Sequence, residues 1–136
     1  MNTKILLRTI NDLENLQTDL KNKGFDFRID EEKIEVNVEY ANIEIFREII
    51  KTYLNAKYNY VNIKFPNQKL NILVFIDKTF FVNDKAIDIS AKEWALSIGL
   101  SKPETEWTTF YWRTLIAIYR YTLSFTRVES NVLRFI

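Results

Sequence analysis

The 136-residue chain contains neither cysteine nor histidine, and only two glycines and two prolines. Without cysteine there are no disulfides, thiolate nucleophiles, zinc fingers or iron–sulfur clusters. Without histidine, the usual general base and the commonest transition-metal ligand are missing. With glycine confined to Gly24 and Gly99, neither a G-x-G-x-x-G fingerprint nor a GxxxxGK[ST] phosphate loop can be written. The serines lie in no G-x-S-x-G elbow and no S-x-x-K arrangement. No apolar run approaches the length that crosses a bilayer, and MNTKILLRT lacks the apolar core of a secretory leader. No cofactor and no membrane partner are expected, and a soluble cytoplasmic protein is the expectation.

The chain is 47% apolar and 15% aromatic, enough to fill one core. At this length a domain buries about two-thirds of the surface its unfolded chain exposes, so residues 1–136 are read as one globular domain. Nineteen basic and 18 acidic side chains nearly cancel, but they are unevenly placed. Residues 26–48 hold eight acids against Arg28, Lys33 and Arg47, whereas residues 49–102 hold eight lysines against four acids. No lysine follows Lys102, and from there every basic residue is an arginine.

Periodicity predicts an α+β fold. Residues 3–9 read as a strand, followed by a helix capped by Asn11 or Asp12, with Leu13, Leu16 and Leu20 on one face and Gly24 at its end. Phe25, Phe27 and Ile29, then Ile34, Val36 and Val38, alternate with polar residues around Glu31-Glu32, which predicts a hairpin. Ile43, Phe46, Ile50, Tyr53 and Leu54 predict a second helix, and residues 58–65 a strand stopped at Pro66. The order β-α-β-β-α-β is that of a ferredoxin-like antiparallel sheet with two helices. Leu70–Ile76, nearly unbroken in apolar residues, suits a strand covered on both faces. Phe80–Val82 and Ala86–Ile89 then read as a hairpin turning at Asn83-Asp84, and Ser90-Ala-Lys-Glu93 as the capping box of a helix ending at Gly99. A further helix is predicted from about Ser101 to Tyr121 behind Pro103.

Candidate functional residues concentrate at the C-terminus. Arg113, Arg120, Arg127 and Arg134 recur every seventh residue, and on a continuous helix such a row drifts only about 20° per heptad. Trp107, Tyr111 and Trp112 lie among them. Planar cations beside large amphipathic rings are the composition of binding hot spots. Trp107, Tyr111, Trp112, Arg113, Arg120 and Arg127 are therefore the candidate binding residues. The leading expectation is a non-catalytic protein that binds a protein partner or a second copy of itself, with the acidic hairpin 26–39 as a second candidate surface. The alternative is a nucleic-acid-binding module in which Arg113, Arg120 and Arg127 hold phosphates while neighbouring rings stack on bases.

Two weaker patterns are read structurally. Glu31-x-Lys33 matches the (D/E)-x-K element of metal-dependent nucleases, but four consecutive charges at 30–33 suit a solvent-exposed turn better. Ala95-x-x-x-Gly99 has the spacing of a helix-turn-helix junction, yet residues 101–109 carry Lys102 as their one base, too few for phosphate contacts.

Overall fold

A computed structural model describes residues 2–107 of the chain. The architecture is α+β, with two three-stranded antiparallel sheets and three helices. In the first sheet β1 (Asn2–Leu6) and β2 (Phe27–Ile29) flank β3 (Lys33–Asn37); in the second, β4 (Tyr60–Phe65) and β6 (Thr79–Val82) flank β5 (Leu70–Phe75). Helix α1 (Leu13–Asn22) joins the first two strands and α2 (Ile43–Tyr53) links the sheets. Helix α3 (Lys85–Ser97) follows β6 directly. No helix among the described residues is long and apolar enough to cross a membrane.

The first helix is bounded as its residues dictate. The Asp12 carboxylate accepts a hydrogen bond from the Asn15 N–H at 3.2 Å, satisfying one of the orphan donors of the first turn. At the other end Phe25 N–H donates to the Leu20 carbonyl (3.0 Å) and Gly24 N–H to that of Lys21 (3.1 Å). This is a Schellman closure, and its left-handed residue is Gly24 at φ +82°. The same pair of bonds, Leu100 to Ala95 and Gly99 to Leu96, closes α3 around Gly99 at φ +110°. Both glycines therefore terminate helices.

One core lies between α1, α2 and the facing sides of both sheets. It gathers Ile5, Leu16, Leu20, Ile34, Val36, Phe46, Ile50, Ile63, Ile72 and Val74. A second core lies on the opposite side of β5, where Leu73 and Phe75 meet Phe80, Val82, Ala91, Ala95 and Trp107. Strand β5 supplies alternate side chains to the two cores and all six of its residues are buried, Asn71 among them, as its nearly unbroken apolar run predicts.

Two expectations need correction. The order β-α-β-β-α-β is present, but β4 takes β5 as its ladder partner, with Val61 opposite Val74 and Ile63 opposite Ile72. β1 and β4 lie side by side without a ladder, so the single ferredoxin-like sheet is not formed. The chain does close between them just beyond the strands: Asn11 N–H donates to the Tyr53 carbonyl and Asn55 N–H to that of Thr9.

The second correction concerns Ala86–Ile89, which is helix rather than strand. The hairpin turns earlier, at Ile76-Asp77, closed by the Phe75 N–H on the Lys78 carbonyl at 2.8 Å. Asp84 is the cap of α3, accepting from Ile87 N–H at 2.9 Å. Asp88, Ala91 and Ala95, spaced by three and four, then form the buried face of α3. Replacing Asp84 by Ala is expected to destabilise the fold by about 1 kcal/mol, the ordinary cost of a lost N-cap, measured by urea denaturation. Were Asn83-Asp84 the tip of a hairpin, that substitution would be close to neutral.

Candidate functional site

Side chains on the sheet face away from α1 and α2 follow from strand alternation. Thr3 and Ile5 of β1 point inward, leaving Asn2, Lys4 and Leu6 on the other face. Val61, Ile63 and Phe65 of β4 point inward, leaving Tyr60, Asn62 and Lys64. Where β1 and β4 fail to pair, these two rows border an open cleft of about 550 Å³. Arg8, Tyr58, Asn59, Leu100 and Glu104 complete its rim.

The cleft is cationic and its walls are held in place. Among the described residues, Lys4, Arg8 and Lys64 line it together with one carboxylate, that of Glu104. Glu104 is already engaged, accepting from Ser101 Oγ at 2.7 Å and Ser101 N–H at 2.8 Å. Those bonds, the hydroxyl's first, hold its carboxyl below the usual range. Asn55 is a clamp beneath the rim: its Nδ2 donates to the Arg8 carbonyl at 2.8 Å, while its Oδ1 accepts from Asn59 Nδ2 at 2.6 Å.

Tyr60 forms the wall nearest the second core. Its hydroxyl donates to the Glu104 carbonyl at 2.9 Å, and its ring meets Trp107 edge-on at 5.6 Å. Burial, and secondarily the Glu104 charge, push its phenol up. Tyr58, by contrast, is 55% exposed and presents a ring at the rim. Asn62 lines the cleft with a buried Oδ1 that accepts no hydrogen bond from the described residues.

Of the binding residues singled out from the sequence, Trp107 lies within the described residues. Trp107 is 7% exposed and belongs to the second core, with its indole N–H donating to Asp88 Oδ1 at 2.7 Å. Asp88 is fully buried and also pairs with Lys92 one turn on, at 3.1 Å. Tyr111, Trp112, Arg113, Arg120 and Arg127 lie outside the described residues.

In the acidic hairpin, Asp30 accepts from the N–H groups of Glu32 and Lys33 at 2.8 and 3.0 Å, which makes residues 30–33 a tight turn. Lys33 Nζ faces Glu35 at 3.5 Å, and Arg28 binds the same carboxylate at 2.8 Å. These cations, Arg28 foremost, hold the Glu35 carboxyl below its usual range. Among the described residues no three carboxylates gather where they could share a metal ion.

Lys4, Arg8, Tyr58 and Lys64 escape a reading based on motifs because no motif joins them. The alternation Tyr60/Asn62/Lys64 between apolar neighbours is a local signal for Lys64, since polar side chains at every second position mark the less buried face of a strand. A scan against protein-family models finds none that matches the chain, and searches of curated proteins and of solved structures find no match either.

Proposed function

We propose that this protein acts by binding rather than by catalysis, and that the β1–β4 cleft takes a single-stranded nucleic acid. The observation that carries this reading is the lining that the described residues form: three cations against one carboxylate already bound by Ser101, with an exposed tyrosine ring beside them. Cations that track a backbone beside a ring that stacks on bases are the two components of sequence-tolerant single-strand binding. The amides of Asn2, Asn59 and Asn62 add donors and acceptors suited to base edges. An acidic peptide would use the cations but not the ring.

Fluorescence anisotropy with labelled oligouridylate and oligothymidylate tests the reading. Three neutralised phosphates give a slope of about −2 in log K against log salt. Lys4→Gln/Lys64→Gln is expected to weaken binding at least tenfold without lowering stability, because both side chains are exposed. Absence of binding at low salt, or binding insensitive to salt, overturns the proposal; preference for an acidic peptide transfers the cleft to a protein ligand.

The second reading is a protein partner or a second copy of the chain. Its support in the sequence is the Arg and aromatic composition around Tyr111, Trp112, Arg113, Arg120 and Arg127. Its support in the fold is the outer edge of β6, which no other described strand pairs.

A further inference from the structure

We propose that two copies of this chain join edge to edge through β6, forming a continuous antiparallel sheet across a two-fold axis at Phe81. β6 contributes no residue to the cleft lining, and its composition, hydrogen bonding and register favour this pairing.

The two outer strands β2 and β6 are differently protected. β2 (Phe-Arg-Ile) carries Arg28, whose side chain is 79% exposed, between Asp26 and Asp30. Charges of that kind deter pairing with another chain. β6 reads Thr-Phe-Phe-Val, with no charge, proline or glycine, and Phe81 is 36% exposed. A strand edge this apolar is one that native proteins ordinarily blunt, unless it has a partner.

The ladder decides which backbone groups are available. Phe75 and Lys78 form a hydrogen-bonded pair, and the register Leu73–Phe80 and Asn71–Val82 continues from it. Alternation in an antiparallel ladder therefore turns the N–H and C=O of residues 78, 80 and 82 toward β5. Those of Thr79, Phe81 and Asn83 face outward, and they make no backbone hydrogen bond to another described residue.

This set is complementary to itself. When a second copy runs antiparallel with Phe81 opposite Phe81, Thr79 stands opposite Asn83 and Asn83 opposite Thr79. All three outward residues of each copy then exchange bonds. Shifting the register by two residues in either direction brings the turn or the first residue of α3 into the ladder and loses a pair. The same register sets Phe80 against Val82 on one face and Lys78 against Asp84 at each end, an apolar and an opposite-charge pairing.

A short ladder alone is small beside the roughly 1,200 Å² that a specific interface buries. Helix α3, packed against β6, supplies exposed apolar surface in Ile89 (43%) and Leu96 (45%), two turns apart on one side of the helix.

Absence of native cysteine makes the register directly testable in the full chain. Sedimentation or light scattering is expected to give the mass of two chains, and Phe81→Lys, which sets two charges face to face, that of one chain with unchanged circular dichroism. Directly paired residues in such a ladder have Cα atoms about 5.5 Å apart, within disulfide range. Phe81→Cys is therefore expected to cross-link to a covalent dimer under mild oxidation at least tenfold faster than Lys78→Cys, which would face Asp84 rather than itself. A wild-type mass of one chain, a Phe81→Lys protein that stays dimeric, or equal cross-linking of the two cysteine variants overturns the proposal.

Discussion

Truncating Trp107 to Ala is expected to cost about 3–5 kcal/mol of folding stability, the range for removing a large buried aromatic side chain. The indole is buried against Tyr60 and the second core, so its loss leaves a void between α3 and β5 that these elements can only partly close. The indole bond to Asp88, a fully buried carboxylate, disappears as well. Trp107→Phe separates the two contributions. It keeps most of the ring volume and deletes the N–H, so about 1–3 kcal/mol is expected, the cost of removing a hydrogen bond from a buried charged acceptor. Urea unfolding followed by circular dichroism measures both. Against a total stability of about 5–15 kcal/mol, the Ala variant should populate unfolded chain at modest denaturant. A Trp107→Ala protein as stable as its parent, but altered in mass or in ligand binding, would instead return Trp107 to the role of a contact residue.

The sequence around Trp107 fits either role. Tryptophan near arginine has the same composition whether the ring contacts a partner or fills a core, and the bond from Trp107 to Asp88, nineteen residues away, is visible only in the fold. The helix stripes were legible because Leu16 and Leu20, or Phe46 and Ile50, repeat at the helical period with polar residues between them. The double burial of β5 was legible because the run Ile72–Ile76, preceded by Leu70, leaves no alternating polar face to expose.

Ala86–Ile89 was misread because Ala-Ile-Asp-Ile also alternates, and four residues cannot separate period 2 from period 3.6. The cap at Asp84 carried the missing information, as aspartate three residues before Ile87 fits a helix start at least as well as a turn. Pairing of β4 was beyond local inference. Its inward set Val61, Ile63 and Phe65 fits either neighbour, and the choice of β5 follows from a short hairpin-like connection at Pro66–Gln68 rather than from side-chain pattern. The cleft exists because of that choice, so its residues could not be grouped before the topology was known.

Replacing Asn71 by Leu is expected to stabilise the protein by about 1–3 kcal/mol, the opposite sign to most core substitutions. Asn71 is fully buried in the middle of the second sheet, between Lys64 and Val82 in the ladder, and among the described residues neither Oδ1 nor Nδ2 has a hydrogen-bond partner. A buried amide that has given up water without gaining a partner contributes a desolvation penalty and nothing to offset it. Leucine is close in shape and apolar, and it extends the row already formed by Leu73 and Phe75 on that face. Thermal unfolding should move upward by about 4 °C for each kcal/mol gained in a domain of this size. Asn71→Asp is the matching control. It conserves shape but buries a charge, and it should destabilise by several kcal/mol above the carboxylate range while approaching neutrality as the pH falls and the acid protonates. A Leu variant less stable than the parent would show that the amide is satisfied in solution. If the Leu variant is more stable but binds oligonucleotide less tightly, the penalty at Asn71 has a function, since its ladder partner Lys64 lines the cleft. Strain and unsatisfied polarity kept beside a binding surface are the usual form of a trade between stability and activity.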